Sequence, residues 1–185
     1  VGTITQGSLV AGLVTSDDAV TIVAPVTRLV RDCIAPIPER SVLLAYLQLA
    51  RGGKSISALA DRCVTTSGYQ TRYGGLSDSS FVKAVFAAAL GQPAKNSMVQ
   101  FYVQKLQAKK LTRADVVSEI SASQASQTAQ AHAVTVTDLH DLLLHQTPPA
   151  QVFTSDVASL DRGESLTAYA TALMSSAAFL DTVTG

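Results

Sequence analysis

Three prolines, Pro38, Pro93 and Pro148, stand 55 residues apart in a chain of 185 that holds only six. Each comes after an apolar stretch of helical period, and each precedes two more. The stretch GGKSISALADRCVTTSGY, residues 52–69, carries Ile56, Leu59, Ala60, Cys63, Val64 and then Tyr69. That is the i, i+3, i+4, i+7, i+8 stripe of an amphipathic helix. Leu166, Tyr169, Ala170, Leu173, Met174 and Phe179 repeat it 110 positions later, and a copy between the two begins at Leu111, 55 from each. Such a recurrence marks an architecture in which each unit is too small to bury its own stripe and neighbours complete it. The expected fold is all-α, with about nine short helices in three repeated three-helix units forming one compact domain.

Residues 1–17 read as an irregular lead-in or a short strand, Gly- and Thr-rich with an apolar patch from Leu9 to Val14. Ser16, Asp17 and Asp18 suit a helix start, a hydroxyl cap with acids at the positive end of the dipole. Pro25, which lacks an N–H, is expected to restart or kink the first helix of repeat 1. Repeat 1, residues 18–75, places Val26, Leu29, Val30, Cys33 and Ile34 on that helix, Ser41 as the N-cap of its second, and Gly52–Gly53 as its stop. Repeat 2, residues 77–130, carries Phe81, Val82, Val85 and Phe86, then Val99 and Tyr102, then Val116, Val117 and Ile120. Its register slips by one residue, which predicts a small insertion near Ser118. The polar run 121–130 is either a helical tail or a solvated spacer. Repeat 3, residues 134–185, puts Asp156 in the column of Tyr46 and Phe101, as a terminal unit facing solvent would.

Fourteen Lys plus Arg balance fourteen Asp plus Glu. With no basic excess to release counterions, nucleic acid is not an expected partner. No apolar run approaches the roughly 18–20 residues of a membrane span. The chain begins at Val1 rather than Met, as expected of a piece of a longer protein or of a processed chain.

Cys33 and Cys63 lie on apolar stripes of the first and third helices of repeat 1. They read either as a disulfide closing a loop of about 30 residues, worth roughly 3–4 kcal/mol on the loop-entropy account, or as two buried thiols acting as small apolar side chains. His132, His140 and His145 are close in sequence, but His140 and His145 are i, i+5, about 140° apart on a helix. They read as surface histidines, and no metal site is expected. Asp138 and Asp141 flank His140 as cap and surface residues of one helix rather than as a catalytic triad. Asp17 and Asp18 lack the spacing of a calcium loop. Gly52–Gly53–Lys54–Ser55 resembles the tail of a phosphate-binding loop but comes after a helix, not a strand. No catalytic residues and no cofactor are expected. Tyr69, Arg72 and Tyr73 form the one cluster suited to stacking on a sugar or peptide, with local packing as the alternative.

Repeat 1, from VTRLVRDC to YQTRYGG, resembles the bacterial domain of unknown function 4214 through Pro38, Tyr46, Gly53, Ser67 and Tyr69. Repeat 2 resembles it through Phe81, Pro93, Phe101–Tyr102 and the run LTRADVVSEISAS, and repeat 3 only through Pro148, Gly163, Leu166 and Phe179. The resemblance implies a module of secreted and cell-surface bacterial proteins, S-layer-like or adhesion-related. It brings no catalytic residues. The expected role is attachment or assembly through glycan (carbohydrate-binding) or cell-surface protein contacts. The alternatives are an accessory domain of an extracellular polysaccharide-active enzyme and a scaffold of an intracellular assembly.

Overall fold

This computed structural model describes residues 5–184, and every described element is helical. The chain runs through α1 (Gln6–Val14), α2 (Ala24–Cys33), α3 (Arg40–Arg51), α4 (Ile56–Cys63), α5 (Ser67–Tyr69), α6 (Asp78–Leu90), α7 (Asn96–Gln107), α8 (Arg113–Ala122) and α9 (Gln124–Ala129). It continues through α10 (Ala131–Leu144), α11 (Ala150–Asp161), α12 (Leu166–Met174) and α13 (Ala177–Thr184). Two π-helical stretches, Ala19–Val23 and Gln70–Gly74, lie before α2 and after α5. The all-α expectation holds, but with thirteen α-helices among the described residues rather than about nine.

Hydroxyl caps explain where most of these helices begin. Thr5, Ser55, Thr66, Ser77, Thr112, Ser123 and Ser165 each accept a hydrogen bond from the backbone N–H three residues on. Each satisfies one of the orphan donors of a first turn. Thr112 adds a capping box, because the Asp115 carboxylate accepts from the Thr112 N–H. Ser123 sits in extended backbone and breaks the polar run, so α9 is a separate helix and not a continuation of α8. Ser41 does not cap α3. That helix starts two residues earlier than such a cap would set, at Arg40 after Glu39, with no side-chain cap.

The lead-in expectation for residues 1–17 is corrected: from Gln6 it is helix α1, capped by Thr5, while residues 1–4 lie outside the described residues. Its apolar residues are interrupted by Gly7, Ser8, Ala11 and Gly12 and are only weakly periodic, so no stripe announces it. Before Pro25 the ladder loosens, and the Ala24 N–H reaches back to the Ala19 carbonyl in π geometry. This accommodates a proline with no N–H to give.

The helices α3, α7 and α11 are each twelve residues long and end in the same way. A left-handed residue, Gly53, Lys109 or Gly163, is followed by an N–H returning five residues, Lys54 to Leu49, Lys110 to Lys105 and Glu164 to Ser159. This is the Schellman stop. The connection after α7 is one residue longer than those after α3 and α11. Against the 55-residue spacing α7 starts one residue late and α8 two, so the extra residues lie before α7 and before α8 and not near Ser118.

The chain divides into two compact units rather than one. Pro25–Ala131 forms the first, and the segment up to Ala24 joins the segment from His132 to form the second. In the first unit α4 packs on α8, and α6 packs on α7, α8 and α9. Its core holds Leu29, Val30, Leu43, Leu59, Phe81, Val82, Val116 and Val117, all essentially inaccessible. In the second unit α1 lies along α12, and Val10, Val136, Leu139, Leu160, Tyr169 and Leu173 form the core. Glycine permits the α1–α12 approach. A methyl group at Gly7 would sit 2.1 Å from Thr171 Oγ1 and 2.7 Å from the Thr167 carbonyl oxygen.

Among the described residues no single helix is long and apolar enough to cross a membrane; that length is reached only by Gln6–Val14 and Ala19–Cys33 taken together.

Candidate functional site

The cluster Tyr69, Arg72 and Tyr73 is taken apart by the fold. Thr66 caps the short helix α5, and the π-helical stretch after it turns Tyr69 and Tyr73 inward, to 3% and 1% exposure. There they meet Phe81, with ring centroids 5.2–6.3 Å apart. This is an aromatic core and not a stacking platform, because an exposed ring face is what a sugar needs. The expectation that both tyrosines bind a ligand is corrected on that ground.

Arg72 has a different fate. Its Nη1 donates to the carbonyl oxygens of Arg31 (2.7 Å) and Asp32 (3.1 Å), and the Tyr73 hydroxyl donates to the Asp32 carbonyl at 2.5 Å. These bonds satisfy carbonyls that the end of α2 leaves open. Arg72 Nε and Nη2 make no hydrogen bond with the described residues. The guanidinium also lies 5.1 Å from the centroid of the Tyr73 ring.

Beside Arg72, α2 buries three charged side chains, Arg28, Arg31 and Asp32. Asp32 is 1% exposed, and its Oδ1 accepts from Gln130 Nε2 at 2.8 Å. Gln130 also donates to Ser126 Oγ (3.0 Å), and its Oε1 accepts from Arg31 Nε (3.1 Å). Arg31 Nη1 further donates to the Pro36 carbonyl, and Arg28 Nε to the Ser121 carbonyl at 3.3 Å. Asp32 Oδ2 and Ser121 Oγ are both buried without a bonded partner. Burial pushes the Asp32 carboxyl up to about 6, against the opposing pull of Ser121, Gln130 and the Arg31 and Arg72 charges. Taking the charged form out of water outweighs the favourable charges around it.

This network walls a surface cleft of about 470 Å³ lined by Arg31, Asp32, Pro36, Arg72, Gln130 and the alanines 84, 87 and 88. The arrangement offers a guanidinium edge, a buried carboxylate and an apolar floor. Among these lining residues no nucleophile is paired with a base. Cys33, next in sequence to Asp32, is disulfide-bonded to Cys63 and ties the end of α2 to the end of α4.

Asp32, Arg31 and Gln130 are absent from the sequence reading of the site. The signal that could have found them is the run Arg28, Arg31, Asp32 inside an otherwise apolar helix. Gln130 had none, lying in a low-complexity run.

The second unit holds another buried polar chain. His140, 2% exposed, pairs through Nε2 with Asp156 Oδ2 at 3.2 Å, and the Tyr169 hydroxyl donates to the same oxygen at 2.8 Å. Burial and the bond to Asp156 hold the Tyr169 phenol above its usual range. The surface reading of His140 is corrected, and its partner is Asp156, not Asp138 or Asp141. Asp156 is half-buried in this chain and does not project freely into solvent. Helix-by-helix alignment also moves its column: the buried aromatic corresponding to Tyr46 is Tyr102, while Phe101 is 47% exposed. His132 is exposed and meets Asp161 at 2.6 Å, and His145 is exposed with positive φ.

No curated protein and no solved structure matches the chain. Residues 60–130 match the model of a family described as a domain of unknown function (DUF4214). The match begins within α4 and ends at Gln130, so it takes in Arg72 and the alanine floor but not Arg31 or Asp32. Over those residues, this protein resembles the DUF4214 family.

Proposed function

We propose that this chain is a non-enzymatic module of a secreted or cell-surface bacterial protein, mediating attachment or assembly through glycan contacts. The observation that carries the reading is the cleft beside Arg72, where a fixed cation and buried polar groups stand over an alanine floor. Small-ligand sites have this make-up, a few placed polar groups on an otherwise apolar surface. The Cys33–Cys63 bond supports an oxidising compartment. Three repeated helical units are part of the proposal. Their support is the common length and common Schellman stop of α3, α7 and α11, each followed by a helix with a hydroxyl cap.

Protein assembly is the second reading, favoured by exposed apolar residues of the second unit, Leu9 and Leu13 on α1 and Leu180 and Val183 on α13. Exposed apolar side chains gathered on a surface mark sites of protein contact. The test is an array of bacterial and host glycans probed with the oxidised chain and a heat-unfolded control. A saturable signal confined to the folded chain supports the glycan reading. No signal across the array sinks it and leaves protein assembly.

A further inference from the structure

We infer that the cleft beside Arg72 binds a sugar that carries a single carboxylate, such as a uronic acid unit of a surface polysaccharide. This rests on the glycan reading above and adds the chemical class of the ligand. Arg72 lines the cleft and is fixed by Nη1 on the Arg31 and Asp32 carbonyls, which leaves its Nε–Nη2 edge without a hydrogen bond to the described residues. Two parallel N–H groups on one rigid edge match the two oxygens of a planar carboxylate. Arg31 is a positioning residue, spent on Gln130 and Pro36.

Charge selects against a doubly charged ligand. The wall of the cleft holds Arg31, Arg72 and the Asp32 carboxylate, a net single positive charge, so one negative charge on the ligand is balanced and a second meets repulsion. A phosphate monoester brings about −1.5 to −2 at neutral pH. The floor of alanines 84, 87 and 88 with Pro36 offers methyl and ring carbons to the C–H face of a pyranose. The volume lies within the range of about 300–1,000 Å³ that small-ligand sites occupy.

The experiment is calorimetric titration of the intact, oxidised chain with digalacturonate, with digalactose, with galactose 6-sulfate and 6-phosphate, and with acetate. Digalacturonate is expected to bind at least about tenfold more tightly than digalactose, a difference of roughly 1.4 kcal/mol. Ala87→Leu and Ala88→Leu, which fill the floor without touching the polar network, are expected to weaken it about tenfold. Arg72→Lys, which keeps the charge but loses the planar edge, is expected to do the same, with circular dichroism checking that each variant is folded. Equal binding of digalactose, or tighter binding of the sulfate or phosphate, overturns the carboxylate inference and leaves the glycan reading standing. Acetate binding as tightly as digalacturonate overturns it too, since no sugar is then recognised. Undiminished binding by both folded alanine variants overturns the location. Binding of none of these sugars overturns the carboxylate-sugar inference, and the glycan array alone then decides the glycan reading.

Discussion

Asp32 is a carboxylate that the fold buries, and taking its charged form out of water raises its pKa. The folded carboxyl protonates near 6, against a reference value of 3.8. Between those values the folded chain holds more proton than the unfolded chain. Its contribution to stability is therefore fully present below about 4 and is lost as pH rises through about 6. The difference amounts to roughly 3 kcal/mol. Asp32→Asn keeps the shape, keeps an oxygen for Gln130 and turns an N–H₂ toward the unsatisfied Ser121 hydroxyl. Chemical denaturation at steps from pH 4 to 8 is expected to show Asp32→Asn more stable than the parent at pH 7–8, with the gap closing by pH 4. A gap that does not depend on pH would refute the assignment. Lys109 is a second residue-scale case, since it holds φ 54° where the matching stops use Gly53 and Gly163. A side chain there is strained by about 1 kcal/mol. Lys109→Gly is expected to raise stability by that amount, read as a higher denaturation midpoint with an unchanged slope.

Among the elements, α1 depends most on a single position. It is nine residues long, too short to persist by itself, and Leu9 and Leu13 remain exposed. Its place on α12 rests on Gly7 and Val10. A methyl at Gly7 meets backbone at Thr167, which cannot give as a side chain can. Gly7→Ala is expected to cost about 1–3 kcal/mol and to speed hydrogen exchange of the α1 amides while those of α6 and α8 keep their protection. Unchanged α1 protection would show that the helix docks elsewhere. At α4 the disulfide and the Ser55 cap act together: the cap starts the helix, and Cys63 ties its last residue to the end of α2.

For the whole molecule, the two units differ in how the chain supplies them. Pro25–Ala131 is continuous and carries its own disulfide, whereas the other unit is assembled from both ends of the sequence. The excised segment 25–131 is expected to remain helical with a cooperative thermal transition. The segment 132–184 alone leaves uncovered the face of α12 that α1 occupies. It is expected to gain helicity when a peptide of residues 5–24 is added, as seen by circular dichroism. A 132–184 segment that folds fully without the peptide would count against the division.

The sequence by itself determined the helices. Stripes at Ile56, Leu59, Ala60 and Cys63, and at Leu166, Tyr169, Ala170 and Leu173, are local patterns, and so are the hydroxyl caps and glycine stops that bound them. The facing of Cys33 and Cys63 on two stripes was legible for the same reason. Short helices without a stripe, α1 and α9, were not. What only tertiary structure decided is which polar side chains meet. Arg72 reaches α2 across 40 residues and Gln130 reaches Asp32 across 98, and no pattern within one helix specifies such a pairing. The same holds for Tyr69 and Tyr73, whose spacing fits a surface cluster and a buried one equally well. The π-helical turn and Phe81 placed them inside. Periodicity says which face of a helix avoids water; which other helix covers that face is settled by burial summed over the whole fold.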